Sequence, residues 1–267
     1  MDVVRRALRE DGAFRDLTSP IVGNARARAQ FIAKQDLVLC GMEQAAETFR
    51  LVGARFIPRA RDGQKLRAGS TVATVSGPAR RVLSGERTAL NFLQQLSGVA
   101  TLTHRFAQLA RPAKVFDTRK TTPGLRALEK HAVLCGGGHN HRMGLHDGVM
   151  IKDNHIAAIG DLEVLRERVH ELALKRVPIV IEAQTIGEAL LFATFPVQVL
   201  MLDNFTPSLL RRAVGLVRRV NPAIPLEASG GVNLKTIRKI ASTGVDRVSI
   251  GALTHSAPAV DISLEFE

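Results

Sequence analysis

The chain has 267 residues, 45% of them hydrophobic and 23% charged, which suits one large α/β domain or two unequal ones. No apolar run reaches the roughly 18 residues that a membrane span needs, and no apolar signal core follows Met1-Asp2-Val3-Val4-Arg5-Arg6, so the expected location is the cytoplasm. The net charge is +12, but it is spread in short pairs such as Arg80-Arg81 and Arg218-Arg219. With no Trp or Tyr to stack bases, small polyanionic substrates are a better expectation than nucleic acid.

Residues 31–40 read as extended chain with a turn. Gly41 leads into a helix over 42–51 with apolar residues on one side. Residues 65–77 alternate with the period of a strand and have Gly at their bounds. A long helix pattern follows over about 84–98. The two cysteines, Cys40 and Cys135, form no Cys-x-x-Cys pair and no ligand cluster along the chain, so both read as reduced packing residues.

After residue 110 the rhythm becomes regular. Apolar runs at 114–117, 148–151, 178–181, 199–202, 224–226 and 247–250 alternate with helical spacing at 161–175, 186–195, 206–220 and 234–243. Such alternation predicts parallel strands with crossover helices. Pro225 fits the start of a strand better than its middle.

The residues that follow these strands carry the functional signal. They are Arg119-Lys120, Lys152, Glu182, Asp203, Ser229-Gly230-Gly231 and Gly251. In a barrel of parallel strands every carboxyl end opens on one face, where the active site sits. Any one of these residues is explained as a cap or a solvated loop. The whole series is not, and it suits a ligand with several negative charges and a divalent cation.

Arg119, Lys120, Arg142 and Lys152 cluster with Glu129 and Asp153 as the only obvious counter-anions nearby in sequence. Arginine forks and lysine point charges are what carboxylates and phosphates require. Glu182 and Asp203 offer hard oxygens for Mg²⁺. They could equally face a sugar as a glycosidase-like carboxylate pair. Ser229-Gly230-Gly231, before a helix expected near Asn233, could cradle a phosphate. Gly136-Gly137-Gly138 precedes His139-Asn140-His141-Arg142 and reads as a shaped loop rather than a slack one.

Three long stretches carry a family resemblance: residues 117–126 (DTRKTTPGLR), 136–145 (GGGHNHRMGL) and 151–155 (IKDNH). Shorter ones, residues 86–93, 96–98, 201–204, 227–231 and 251–256, follow in order over nearly the whole chain. Together they resemble quinolinate phosphoribosyltransferase, also called carboxylating nicotinate-nucleotide pyrophosphorylase. The resemblance implies an α/β fold with an incomplete seven-stranded α/β barrel over residues 99–251. It also implies an N-terminal α/β open-faced sandwich over residues 1–98, completed by residues 252–267.

The implied reaction joins quinolinate to the phosphoribosyl group of phosphoribosyl pyrophosphate and releases CO₂. Arg87, Arg119, His141 and Arg142 would hold the quinolinate carboxylates, and Lys120 and Lys152 would lie between quinolinate and pyrophosphate. Glu182 and Asp203 would bind ribose hydroxyls and Mg²⁺. Ser229, Gly230, Gly231, Gly251 and His255 would take the 5′-phosphate, with main-chain atoms of Thr118, Ile250 and Ala252 joining in. Lys120, Lys152, Glu182 and Asp203 are the implied catalytic set. A homodimer is implied, with Arg87 donated across its interface and assembly into a hexamer left open; no nucleic acid or membrane partner is implied.

Val180 and Gln184 stand where bacterial relatives often carry further acidic residues, which puts the tuning of the metal site in question. Three other readings stay open on sequence. One is a molybdenum-transport-associated paralogue with another substrate. Another is a nicotinate or nicotinamide phosphoribosyltransferase, for which the cations are excessive. The third is a non-catalytic anion- or nucleic-acid-binding barrel, which would not need Glu182 and Asp203.

Overall fold

The computed structural model describes residues 2–267. The chain forms two compact units. The first holds the chain up to His104 together with Thr121–Gly137 and Leu253–Glu267; the second holds Arg105–Lys120 and Gly138–Ala252.

The elements of the chain up to residue 110 are α1 (Asp2–Glu10), β1 (Arg26–Ala33), β2 (Leu37–Val38), α2 (Met42–Val52), β3 (Arg55–Pro58), β4 (Lys65–Leu66), β5 (Thr71–Pro78) and α3 (Ala79–Ala110). Then come β6 (Lys114–Phe116), α4 (Arg126–Cys135), β7 (Val149–Ile151), α5 (Asp153–Ile159), α6 (Leu162–Leu174), β8 (Ile179–Ala183) and α7 (Ile186–Phe192). The chain ends with β9 (Val199–Asp203), α8 (Pro207–Val220), β10 (Leu226–Ser229), α9 (Ile237–Ala241), β11 (Arg247–Ser249), α10 (Ala252–His255) and β12 (Ile262–Phe266).

In the first unit a four-stranded antiparallel sheet runs in the order β12-β1-β5-β3. Ala29, Phe31 and Ala33 alternate inward along β1 and are fully buried, as the two-residue period of a strand requires. The chain's last strand pairs with β1, with Phe31 opposite Leu264. Phe31 meets Phe49 of α2 edge-on with ring centroids 5.7 Å apart. Helix α2 ends at Gly53, whose φ of 80° is the left-handed cap that glycine supplies.

Helix α3 is 32 residues long, well beyond the expected span of 84–98. Ser84 and Gly98 resemble boundaries, but an isolated Gly inside a helix is tolerated where close packing needs it. A Cβ on Gly98 would run into the carbonyl of Pro258. Gly98→Ala should therefore lower Tm; a cost of about 1–3 kcal/mol corresponds to a fall of roughly 3–10 °C for a chain of this size. Differential scanning fluorimetry measures it, and an unchanged Tm would mean that the contact yields freely.

In the second unit, among the described residues, six parallel strands run in the order β6-β11-β10-β9-β8-β7. The expected number was seven; His139 adds only a one-residue parallel bridge beside Phe116. The strands themselves follow the expected runs, and Pro225 sits one residue before β10.

The helices obey their caps. Thr185 and Glu188 form a reciprocal capping box at α7, and Thr206 with Pro207 opens α8. The helix expected over 234–243 is shorter, because the Asn233 side chain accepts from the N–H groups of Lys235 and Thr236. That holds the preceding residues as a turn, and α9 begins only at Ile237. Among the described residues no helix is long and apolar enough to cross a membrane.

Candidate active site

The second unit has a cavity of about 440 Å³ lined by Thr118, Arg119, Lys120, His141, Arg142, Lys152, Asp203, Ser229, Gly230 and Gly231. All ten were singled out from the sequence. A cavity of about 490 Å³ in the first unit is walled by Phe92, Leu96, Leu125 and Leu128, with Glu10 and Asp11 as its charged side chains. Its acidic and apolar lining is wrong for an anionic ligand, so the chemistry belongs to the cationic cavity.

Asp117 organises one wall. It is fully buried just past β6, and its Oδ1 accepts from the His141 N–H at 2.8 Å. Its own N–H donates to the His139 carbonyl at 3.0 Å. The stretch bearing Arg119 and Lys120 is thereby tied to the one bearing His141 and Arg142. The Arg142 N–H donates to His141 Nδ1 at 2.9 Å. A ring nitrogen that accepts carries no proton, so the His141 proton lies on Nε2. Nε2 faces Glu227 Oε1 at 3.7 Å.

Arg142 Nη1 donates to the Gly148 carbonyl at 2.9 Å, which fixes one side of its fork. The Asp147 carboxylate closes this turn by accepting from the Met143 and Gly144 N–H groups at 2.7 and 3.3 Å. Burial, followed by the charge of Arg119, pushes the Arg142 guanidinium below its usual range. It stays a cation at neutral pH, so an arriving anion relieves both penalties.

On the other wall, Lys152 Nζ lies 3.3 Å from Glu182 Oε2, and the Glu182 side chain is only 5% exposed. Glu182 and Asp203 are placed near the ends of β8 and β9 rather than just past them. Asp203 Oδ2 accepts from the Asn204 amide at 2.6 Å. Gln184 donates to Asp153 Oδ2 at 3.1 Å, so the substitution noted in sequence supports a carboxylate beside Lys152.

Burial raises the Glu182 carboxyl above its ordinary range; Lys152 opposes the rise and Asp203 adds to it. The sign follows. An acid with a raised folded value stabilises the fold below its unfolded value, and that contribution is lost as pH rises through the folded value. Chemistry that needs the carboxylate should thus fail on the acid side earlier than for an ordinary Glu. Carbon-detected NMR of labelled Glu should show Glu182 titrating above the usual range, and higher still in Lys152→Met. A downward move in Lys152→Met would break the assignment.

The late strands form the third wall. Gly230 and Gly231 have φ of 94° and 61°, and Asn204 follows β9 at φ 58°. Any Cβ on Gly230 would strike the Asn204 side chain, so glycine is required there on two counts. The Ile250 N–H donates to the Phe116 carbonyl at 2.9 Å; Gly251 and Ala252 follow, half-buried. Arg87, exposed on α3, and His255, whose Nδ1 lies 2.6 Å from Ser256 Oγ, belong to the first unit.

Asn204, Met150, Met201 and Ser249 also line the cavity without having been given roles. Beneath them lies Glu227, fully buried, which accepts a hydrogen bond from Ser249 Oγ. Burial holds its carboxyl well above the ordinary range, against the opposing Ser249 hydrogen bond and the Arg247 charge. A charged residue inside an otherwise apolar strand, Leu226-Glu227-Ala228, was the available signal.

A parallel-strand α/β unit whose cavity gathers Arg, Lys and His beside Asp203, with Glu182 paired to Lys152, defines a class: a receptor for a small polyanion. Comparison with known proteins specifies it. Residues 13–97 match the N-terminal domain model of quinolinate phosphoribosyl transferase and residues 99–265 match its C-terminal domain model.

The chain is 40% identical over 262 residues to the probable carboxylating nicotinate-nucleotide pyrophosphorylase of Bacillus subtilis, covering 96% of this chain and 89% of that one. It is 39% identical over 290 residues to quinolinate phosphoribosyltransferase 1 of Nicotiana glauca, covering 99% and 81%. The solved nicotinate-nucleotide pyrophosphorylase of Ehrlichia chaffeensis superimposes with TM-score 0.92 at 36% identity, over 100% of this chain and 98% of that one. The chain belongs to the quinolinate phosphoribosyl transferase family.

Proposed function

We infer that the chain transfers the phosphoribosyl group of phosphoribosyl pyrophosphate to quinolinate with decarboxylation, yielding nicotinate mononucleotide, pyrophosphate and CO₂ in NAD biosynthesis. The observation that carries this is the single cavity on which Arg119, Lys120, Arg142 and Lys152 converge beside Asp203. Its cations match a dicarboxylate together with a pyrophosphate.

In this reading Arg119, His141 Nε2–H and Arg142 orient the two quinolinate carboxylates so that the ring nitrogen points at C1 of the ribose. Lys120 and Lys152 meet the leaving pyrophosphate. As the C1–O bond breaks and the N–C1 bond forms, positive charge grows on the sugar, and Asp203 and Glu182 stabilise it electrostatically. The positive charge of the alkylated nitrogen then stabilises the electron pair left on the adjacent ring carbon as its carboxylate leaves as CO₂, and a proton adds to that pair. Positioning carries much of the acceleration, since no covalent enzyme intermediate is needed.

The donor set also fits Mg²⁺. Two carboxylates, one steadied by Lys152 and one by the Asn204 amide, are the sparse hard-oxygen ligands this ion takes alongside substrate oxygens and water. Glu182 and Asp203 would hold it, and when bound it would neutralise charge on the pyrophosphate.

Purified protein given quinolinate labelled in its 2-carboxylate, phosphoribosyl pyrophosphate and Mg²⁺ should release labelled CO₂ and nicotinate mononucleotide in equal amounts. Nicotinate should not substitute for quinolinate. A folded sample that makes no product would overturn the reading.

We further propose a cytoplasmic homodimer in which Arg87 serves the partner's site. Mixing equal amounts of Arg87→Ala and Asp203→Ala chains should restore about a quarter of the parent activity if the chains pair at random, because half the dimers are then mixed and each keeps one of its two sites intact. No recovery from verified mixed dimers would show that Arg87 acts within its own chain.

A further inference from the structure

We propose that Cys40, Asp62, His131 and Cys135 form a binding site for Zn²⁺. Along the chain these cysteines read as separate packing residues, but the fold of the first unit brings them together. The four ligand atoms all lie within 4.8 Å of one another. His131 and Cys135 are one helical turn apart on α4 and so share a face. Cys40 comes from the loop after β2 and Asp62 from the turn before β4.

The spacings suit tetrahedral coordination. Cys135 Sγ is 3.5 Å from His131 Nε2, His131 Nε2 is 3.3 Å from Asp62 Oδ2, and Cys40 Sγ is 3.9 Å from Asp62 Oδ2. Ordinary zinc bond lengths to sulfur, nitrogen and oxygen give tetrahedral edges of about 3.4–3.8 Å; these three spacings lie close to that range, and the rest of the set, within 4.8 Å, would contract around an ion. Two thiolates, an imidazole and a carboxylate are a borderline-soft set that favours Zn²⁺ over Mg²⁺ or Ca²⁺.

The ligands are also pre-oriented. Asp62 Oδ1 accepts from the Met42 N–H at 3.2 Å, which turns Oδ2 toward the cluster. The Cys40 N–H donates to Ser97 Oγ at 2.9 Å, and the Gly63 N–H donates to the Leu39 carbonyl at 2.8 Å. Outer hydrogen bonds of this kind fix ligand geometry in metal sites. His131 is 55% exposed in its side chain, so an ion reaches the cluster from solvent. Binding would release both thiol protons and tie α4 to the two loops.

The test uses the full chain, reduced and stripped with EDTA, and adds Zn²⁺ against a colorimetric chelator. One ion per chain is expected. Co²⁺ should give thiolate charge-transfer bands and the intense visible bands of tetrahedral coordination. His131→Ala and Cys135→Ser alter side chains that are not fully buried, and circular dichroism checks that both still fold. Each should weaken Zn²⁺ binding beyond the roughly 10–100-fold that loss of an outer partner costs, and should abolish the rise in Tm that Zn²⁺ gives the parent. Substoichiometric uptake, an octahedral Co²⁺ spectrum, unchanged binding in both variants, or a Cys40–Cys135 disulfide in place of free thiols would each overturn the site. Transferase activity is not among the readouts, so the outcome is independent of the reaction proposed above.

Discussion

Replacing Arg142 by Ala should raise KM for quinolinate by about 30-fold or more, while KM for phosphoribosyl pyrophosphate changes by less than about threefold. Truncating one partner of a buried, hydrogen-bonded charge pair typically costs about 2–5 kcal/mol. Arg142 is half-buried, so the lower end of that range applies. Its fork is anchored at Gly148, and burial together with Arg119 leaves its charge poorly compensated. Steady-state kinetics with each substrate varied in turn make the comparison. Arg142→Lys should recover only part of the loss, because an ammonium cannot reproduce a bidentate fork. Equal losses for both substrates would remove Arg142 from the quinolinate subsite.

Glu182→Gln should lower kcat by about 10²–10³, the range seen when one electrostatic stabiliser of a transition state is lost. The fold should not suffer at neutral pH. Burial already disfavours the Glu182 carboxylate, so a neutral amide of the same shape removes that penalty, and Lys152 is 45% exposed and solvated. A Tm equal to or above the parent's, together with the loss in kcat, is the expected signature of a residue kept for chemistry at the expense of stability. A lower Tm with near-normal kcat would make Glu182 a structural ion-pair partner. Assays at several Mg²⁺ concentrations add a second readout, since a metal-holding role predicts that more Mg²⁺ recovers part of the rate.

The strands of the second unit and the cationic cavity were legible because both depend on local pattern. Apolar runs mark buried parallel strands, and the residues after them share one face whatever the loops do. The motifs around Arg119, His141 and Lys152 carried the family directly. The full length of α3 was not legible, because Gly98 serves a contact with Pro258, far away in sequence. The seventh strand reduces to a single bridge at His139, a difference too small for hydrophobic periodicity to register. Asp117 and Glu227 stood within the quoted motifs, but their roles depend on His141 and Ser249 across the sheet. The Cys40–Cys135 cluster was hidden for the same reason: its ligands come from places far apart in the chain, and spacing rules see only neighbours.

Glu227 has a bearing on the charge the cavity presents. It lies under the cavity, fully buried, with a carboxyl that burial biases toward the neutral acid. The floor of the site therefore tends to hold its proton where a surface carboxylate would have released it. A carboxyl biased in this way opposes an entering anion less than an ordinary carboxylate in the same place would.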